Sequence, residues 1–247
     1  MKIVGFLPES FQDWEEGLAS VIFTGRCNFK CPGCHGKKLL SGEKIYDSDE
    51  IIKRLKRKQK YINRVVLCGG EPTLELDILS FLKNLKQEGF KVKLDTNGSL
   101  YPILQDALQD KLVDYVAMDI KAPLELYSQI TGRQIDLRDD VEKGLGLVTQ
   151  FPGYEFRTTL FPLNDNGMRW MTPGEVGDIA KFIAENTGTK DHKYFLQRFT
   201  ARTSGEMIDD KFSKENLPEE FHETPYKLTE EMLTEAKKYL PNTKIRS

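Results

Sequence analysis

The 247-residue sequence has no long hydrophobic run, no low-complexity segment and no strong excess of charge. No apolar stretch approaches the roughly 20 residues that a membrane-spanning helix needs, and residues 1–7 are too short and too weakly charged for a signal peptide. The net charge of −2 gives no general attraction to nucleic acid or to an anionic membrane. We therefore expect a cytoplasmic protein with neither a membrane nor a nucleic acid as its partner.

Cysteine is scarce, and its distribution is uneven. The chain has four cysteines, and three of them fall within residues 27–34. Such close spacing favours a metal site over the disulfide framework of a secreted protein. The hydrophobic content of 39% is enough for a sizeable core, and the length fits a single α/β domain.

Apolar segments rich in β-forming residues alternate along the chain with amphipathic helical segments. The predicted strands are 18–24, 64–67, 91–94, 115–118, 154–160 and 193–199. The predicted helices are 49–61, 76–88, 101–109, 141–148 and 172–186. Short connections between them indicate a parallel sheet with right-handed crossovers. Periodicity alone leaves open whether the sheet is doubly wound or a partial barrel.

In either architecture, ligands bind at the carboxyl ends of the strands. We expect residues 1–200 to form the core domain. Residues 201–247 read as a polar tail that packs on the core with one helix near 229–240.

The cysteine loop follows the first predicted strand with the spacing C-x3-C-x2-C, formed by Cys27, Cys31 and Cys34. Iron–sulfur clusters are normally held by four thiolates, so three cysteines leave one iron open for another ligand. Cys68 is a candidate fourth ligand. The alternative is a zinc site completed by His35, because zinc is satisfied by three cysteines and one histidine.

Glycines and charged residues recur where the later strands end. Paired glycines let the backbone approach a ligand closely, and charges in an apolar strand end are costly unless they are paired or used. The candidates are Gly69, Gly70 and Glu71 after the second strand, Asp95, Thr96 and Asn97 after the third, Asp119 and Lys121 after the fourth, and Arg157 and Arg198 on the fifth and sixth. Each group is also consistent with a purely structural interpretation, as a turn or as an ion pair at a strand end.

The cysteine spacing after the first strand resembles the signature of the radical S-adenosylmethionine (SAM) superfamily. The resemblance implies that Cys27, Cys31 and Cys34 bind a [4Fe–4S] cluster whose open iron is chelated by SAM. It also implies the fold, a partial (β/α)6 barrel of parallel strands. One position departs from the family pattern, because the residue before the third cysteine is usually aromatic and here is Gly33.

The later strand ends resemble those of the glycyl-radical-enzyme activating enzymes, and the Cys-Pro-Gly-Cys sequence resembles activating proteins of anaerobic ribonucleotide reductases. The resemblance implies that residues 69–71 hold the SAM amino group and that Asp95, Thr96 and Asp119 surround SAM and a monovalent cation. Asn97, Lys121 and Arg157 complete the predicted cofactor-binding set.

The activity implied is reductive cleavage of SAM, followed by removal of a hydrogen atom from a glycine Cα of a partner enzyme. The partner that fits best is an anaerobic ribonucleoside-triphosphate reductase, with flavodoxin or ferredoxin as the electron donor. Because the cofactors carry the chemistry, we expect no catalytic residue beyond the cluster and SAM ligands. Three alternatives stay open: activation of a pyruvate formate-lyase-like enzyme, chemistry on a small molecule such as a deazapurine precursor, and a zinc-stabilised binding module without catalysis.

Overall fold

The computed structural model describes residues 1–15, 17–132, 138–165 and 167–246. The strands in chain order are β1 (Ile3–Ser10), β2 (Ala19–Thr24), β3 (Arg64–Gly69), β4 (Lys91–Thr96), β5 (Tyr115–Asp119), β6 (Tyr154–Leu160), β7 (Leu163–Asn164), β8 (Met168–Arg169), β9 (Tyr194–Arg198) and β10 (Lys244–Arg246). The helices are α1 (Lys37–Ser41), α2 (Ser48–Lys58), α3 (Ile78–Gln87), α4 (Tyr101–Gln109), α5 (Leu124–Thr131), α6 (Arg138–Val148), α7 (Pro173–Thr187) and α8 (Tyr226–Lys237).

Eight of the strands form one sheet in the order β1-β2-β3-β4-β5-β6-β9-β10. β2 pairs in parallel with β3, and β3 with β4, while β9 pairs in parallel with both β6 and β10. β1 is antiparallel to β2, and β7 and β8 form a separate antiparallel pair. The predicted α/β class with parallel strands is confirmed, and each of the six predicted strands is present.

The chain divides into two compact units. The first consists of Met1–Asn28, Lys38–Ala117 and Leu147–Tyr154. The second consists of Phe29–Lys37, Met118–Gly146 and Glu155–Ser247.

The first unit is built on a sheet of apolar central strands. Val21 of β2 lies opposite Val66 of β3, and both are fully buried beside Trp14. β1 was not predicted, because Gly5 and Pro8 are unusual within strands. As the edge strand it tolerates a proline, which cannot donate to a neighbouring strand.

In the second unit, α7 packs against α8. α7 begins with a capping box in which Thr172 Oγ1 accepts from the backbone N–H of Glu175 and the Glu175 carboxylate accepts from that of Thr172. A Cβ added to Gly177 on α7 would lie 2.8 Å from Cγ of Glu235 on α8. Glycine therefore permits this close contact between the helices.

Residues 201–247 contribute more than the one predicted helix, because β10 extends the sheet beside β9. The Arg246 guanidinium lies 3.7 Å from the centre of the Phe195 ring and donates to Glu155 Oε1 at 2.6 Å. Glu155 is 1% exposed, so Arg246 neutralises a buried carboxylate of β6. Within the described ranges, no helix has both the length and the hydrophobicity that crossing a membrane requires.

Candidate cluster and cofactor site

The start of the cysteine loop packs directly on the glycine pair at the end of β3. The backbone N–H of Gly70 donates to the carbonyl of Thr24 at 3.0 Å, and that of Glu71 donates to the carbonyl of Arg26 at 2.5 Å. A Cβ at Gly70 would lie 1.9 Å from the Arg26 carbonyl oxygen. Gly69 has φ of +111°, a conformation that other residues rarely adopt. Both glycines are therefore required for the contact between β3 and this loop.

Glu71 ties the end of β3 to the end of β4. Its buried carboxylate accepts hydrogen bonds from Thr73 N at 3.2 Å, Thr73 Oγ1 at 2.6 Å, Thr96 Oγ1 at 2.7 Å and Asn97 N at 2.6 Å. Burial raises the pKa of Glu71, and the hydrogen bonds from Asn97, Thr73 and Thr96 oppose that rise. The predicted role of Glu71 in binding SAM stays a prediction. The sequence did not indicate its second role, which is to join the ends of β3 and β4.

A ring of polar side chains joins the cysteine loop to the segment after β4. Asn97 Nδ2 donates to Asn28 Oδ1 at 2.9 Å, Asn28 Nδ2 donates to Ser99 Oγ at 2.7 Å, and Ser99 Oγ donates to Asn97 Oδ1 at 2.7 Å. Asn28 directly follows Cys27, so Asn97 helps to fix the loop at its first cysteine. Asn28 and Ser99 were not predicted, although the position of Asn28 directly after a candidate ligand cysteine is a signal in the sequence. Asp95 pairs with Lys93 at 3.5 Å.

In the second unit, three predicted residues form one charged group. Asp119 Oδ1 accepts from Arg157 Nε at 2.8 Å, and Asp119 Oδ2 accepts from Lys121 Nζ at 2.9 Å. Burial alone would raise the pKa of Asp119, but Arg157 and Lys121 lower it to about 2. Two cations share one carboxylate, so the group carries a net positive charge that suits an anionic neighbour.

Cys31 and Cys34 lie within reach of this positive charge. Burial would lower the pKa of Lys121, but the Asp119 carboxylate and the thiolates of Cys31 and Cys34 outweigh it and raise that pKa. The backbone N–H of Gly36 donates to Cys34 Sγ at 3.3 Å. Hydrogen-bond donors around a ligand sulfur help to orient it and to tune a metal site.

Cys27 lies in the first unit and Cys31 and Cys34 lie in the second, and none of the three forms a disulfide. Across the described residues, no three His, Cys, Asp or Glu side chains are grouped to hold a single metal ion. Thiolates are the ligands that iron–sulfur clusters take. The chemistry of the three cysteine side chains, each taken by itself, therefore fits the ligands of a cluster.

The space beside Gly33 is taken by an aromatic side chain from another part of the chain. A Cβ at Gly33 would lie 2.9 Å from two ring carbons of Phe161, which directly follows β6 and is 4% exposed. The ring thus packs against the position where the family usually carries an aromatic residue. Phe161 was not predicted, because its contact joins distant segments of the sequence.

Residues 203–212, here called the tail strap, hold the second half of the cysteine loop. The backbone N–H of Ile208 donates to the carbonyl of Cys34 at 2.9 Å, and that of Asp209 donates to the carbonyl of Pro32 at 3.4 Å. Lys37 Nζ donates to Asp210 Oδ1 at 2.6 Å. The polar tail, which carried no motif, therefore supports the loop that carries two of the cysteines.

The two residues left undecided by the sequence make structural contacts. Arg198 donates to the carbonyl of Thr224 at 3.0 and 2.8 Å and pairs with Glu223 at 3.0 Å. Cys68 packs against the buried cluster around Trp14. Arg198 thus joins β9 to the tail.

Comparison with known proteins places the chain in a family. The sequence profile described as Radical SAM superfamily matches residues 21–166. A protein of Methanocaldococcus jannaschii, named as a glycyl-radical enzyme activating enzyme, is 29% identical over 99% of this chain and 95% of its own length. A protein of Pyrococcus horikoshii, named as a GTP 3′,8-cyclase, is 27% identical over 89% of this chain and 69% of its own length.

The fold is similar to that of a solved protein with bound S-adenosylmethionine. The structure of Streptococcus suis SuiB bound to S-adenosylmethionine matches with a TM-score of 0.63 at 16% identity, over 92% of this chain. The chain spans half the length of that protein. This likeness bears on the fold alone, and it agrees with the predicted partial barrel. From the family match and the fold, the chain belongs to the radical SAM superfamily and is an enzyme similar in sequence to the glycyl-radical-enzyme activating enzymes.

Proposed function

We propose that this radical SAM enzyme generates a glycyl radical on a partner enzyme, and that the partner is an anaerobic ribonucleoside-triphosphate reductase. The observation that carries the proposal is the match to a protein named as a glycyl-radical enzyme activating enzyme over nearly the whole length of both chains. The Cys-Pro-Gly-Cys sequence of residues 31–34 supports this choice of partner.

The residues divide by role. In this proposal, Cys27, Cys31 and Cys34 hold the [4Fe–4S] cluster. The backbone turn at Gly69 and Gly70, together with residues 95–97, binds SAM. When bound, the reduced cluster and SAM together supply the radical that removes hydrogen from the glycine Cα.

The charged group of Asp119, Lys121 and Arg157 orients the anionic part of SAM, since its net charge is positive. A monovalent cation beside Asp95 and Asp119 is part of the same proposal. Reduction of the cluster by flavodoxin or ferredoxin is also part of this proposal.

The second candidate function is chemistry on a nucleotide. It is favoured by the likeness to proteins named as GTP 3′,8-cyclases over 89% of this chain. In that case the hydrogen donor is a small molecule rather than a protein loop. The activation of a pyruvate formate-lyase-like enzyme remains a variant of the first proposal.

The deciding experiment starts from protein purified without oxygen and reconstituted with iron and sulfide. EPR spectra of the reduced protein should show a [4Fe–4S]⁺ signal that changes when SAM is added. Incubation with SAM, dithionite and an anaerobic ribonucleoside-triphosphate reductase should then produce a glycyl-radical doublet. The control is the same reductase with its radical glycine changed to alanine. SAM cleavage that depends on GTP, with no doublet on the reductase, would favour the second candidate.

Cysteine variants test the ligand set directly. Cys27→Ala, Cys31→Ala and Cys34→Ala should each lose the cluster, whereas Cys68→Ala should keep it with an unchanged iron content. Loss of the SAM response in Cys68→Ala would identify Cys68 as a fourth ligand and overturn the open iron. Zinc in place of iron after reconstitution would leave a metal-stabilised binding protein.

A further inference from the structure

The face of β6 that carries Arg157 changes from closed to open along the strand. Glu155, Arg157 and Thr159 share this face, because side chains two residues apart in a strand point to the same side. In the parallel register, Phe195 and Gln197 of β9 lie beside Arg157 and Thr159. Glu155, Arg157 and Phe195 are buried, whereas Thr159 and Gln197 are partly exposed. The face therefore opens at the carboxyl ends of the strands, where parallel α/β proteins bind ligands.

Thr159 and Gln197 leave hydrogen-bonding capacity unused at this open end. Thr159 Oγ1 donates to Gln197 Oε1 at 3.5 Å, which is longer than the roughly 2.7–2.8 Å of a well-formed O–H···O bond. No residue that the structure describes accepts a hydrogen bond from Gln197 Nε2. On the opposite face of β6, Thr158 Oγ1 accepts from the Tyr194 hydroxyl at 2.8 Å and donates to the Ile120 carbonyl at 2.7 Å. In contrast to Thr158, Gln197 thus offers a donor and an acceptor side by side to a ligand.

The charges beside this pair favour a neutral ligand. Lys121 and Arg157 share the Asp119 carboxylate, and Arg246 pairs with Glu155. A nucleoside triphosphate requires several cations that are free to form charge-assisted hydrogen bonds. A peptide group is neutral, and its C=O and N–H need one donor and one acceptor. The amide side chain of glutamine carries both, so it complements a peptide main chain.

We propose that Gln197 binds a main-chain peptide group of the partner segment that carries the radical glycine, with Nε2 donating to a carbonyl and Oε1 accepting from an N–H. The inference rests on the proposed function and names a residue that holds its protein substrate. Glycine has no side chain, so an enzyme can recognise it only through the main chain and the flanking residues. Gln197 is suitably placed, because Thr159 beside it lies two residues beyond Arg157 along β6, about 7 Å further toward the open end.

The test measures binding of a synthetic peptide that spans the radical glycine of an anaerobic ribonucleoside-triphosphate reductase. Full-length protein, reconstituted anaerobically and left unreduced in the presence of SAM, is titrated into the labelled peptide, and fluorescence anisotropy gives the Kd. Gln197→Met should weaken binding about tenfold, because two hydrogen bonds are lost. Gln105→Met, at an exposed glutamine on α4, is the matched control and should bind like the wild type.

Ester peptides show whether the contact is to the main chain. An ester in place of the peptide bond just before or just after the glycine removes an N–H and keeps the side chains. At least one of these two esters should bind the wild type more weakly than the parent peptide does, whereas both should match the parent in Gln197→Met. An ester at the end of the peptide should have no effect in either protein. Gln197→Glu, which removes the donor at nearly unchanged shape, should also weaken binding of the parent peptide, and it replaces Gln197→Met if urea unfolding shows that variant to be unfolded.

The outcomes separate this inference from the proposed function. Equal affinities of the wild type and Gln197→Met for the parent peptide, or no effect of either ester beside the glycine, would overturn the inference. So would a wild type that binds no peptide but forms the glycyl-radical doublet on the whole reductase, since recognition would then lie outside the glycine segment. In each case the doublet leaves the proposed function standing. A wild type that binds GTP instead and forms no doublet would overturn the proposed function, and the inference with it.

Discussion

At the residue scale, Glu71 joins two strand ends through a buried carboxylate with four donors. Glu71→Gln keeps the shape but places an N–H₂ group where Oε2 now accepts from the backbone of Asn97. We expect the free energy of unfolding to fall by about 1–3 kcal/mol, the usual cost of an unsatisfied buried group. Urea denaturation of both proteins measures this difference in the free energy of unfolding. The matched control is Glu230→Gln, an exposed glutamate on α8, and equal effects in the two variants would argue against the buried network.

Gly33 leads to a second prediction, about packing. Gly33→Ala would press a methyl group against the Phe161 ring, because the added Cβ would lie 2.9 Å from it. Overpacking of this kind typically costs about 1–3 kcal/mol, to be measured by urea unfolding of the cluster-free protein. The smaller side chain of Phe161→Leu should relieve part of this cost in the double variant. Strictly additive effects of the two changes would contradict the contact.

Asp119 makes the stability depend on pH in the acid range. Its pKa is lowered from 3.8 to about 2 by Arg157 and Lys121. A lowered pKa means that the stabilisation is complete above pH 3.8 and is lost as the pH falls through 2, with a total of about 2 kcal/mol. Asp119→Asn removes this titration. The difference in unfolding free energy between wild type and variant should therefore shrink from pH 4 to pH 2, and a constant difference would rule out the shift.

At the scale of elements, an ion pair between Arg246 and Glu155 supports β10 in addition to its pairing with β9. Arg246→Met leaves the Glu155 carboxylate buried without its guanidinium, and breaking a buried pair from one side costs roughly 3 kcal/mol. The double variant with Glu155→Gln should recover much of the loss, since no uncompensated charge remains. A double-mutant cycle measured by urea unfolding gives the coupling. No coupling would mean that Arg246 acts through its packing on Phe195 alone.

The elements that the sequence predicted are those with a strong local pattern. The six parallel strands are apolar runs between amphipathic helices, so hydrophobic periodicity and residue composition indicate the same elements. β1 was missed because Gly5 and Pro8 interrupt its pattern, and β10 because three residues are too few for a periodic signal. Both are stabilised by pairing with a neighbouring strand rather than by their own sequence.

The residues of the candidate site also fall into those that the sequence predicted and those that it missed. Its predicted residues stand out locally, since cysteines, paired glycines and charges at strand ends are unusual in any apolar context. Asn28 and Phe161 were missed because their roles come from contacts with segments far away in the sequence. The tail strap was missed because its bonds to the cysteine loop use backbone N–H groups, which no side-chain motif reveals.

At the scale of the whole molecule, the sequence divided the chain at residue 200, and a truncation tests that division. A chain of residues 1–200 lacks α8, β10 and the tail strap. It would expose the face of α7 that packs on α8 and leave Glu155 without Arg246. We expect it to lose cooperative urea unfolding and to retain less iron after reconstitution than the full chain.

A chain of residues 1–243 is the control, because it removes only β10 with Arg246 and keeps the strap and α8. It should unfold cooperatively at a lower urea midpoint, with a loss of unfolding free energy at least as large as that measured for Arg246→Met, because the pairing with β9 is lost as well, and it should still take up iron. If residues 1–200 instead unfolded cooperatively at the midpoint of the full chain, the predicted 1–200 core would stand as a domain. The strap's bonds to Cys34 and Pro32 would then be dispensable, and the cysteine loop would owe its shape to its contacts with the rest of the chain, such as those of Asn28 with Asn97 and of Gly33 with Phe161.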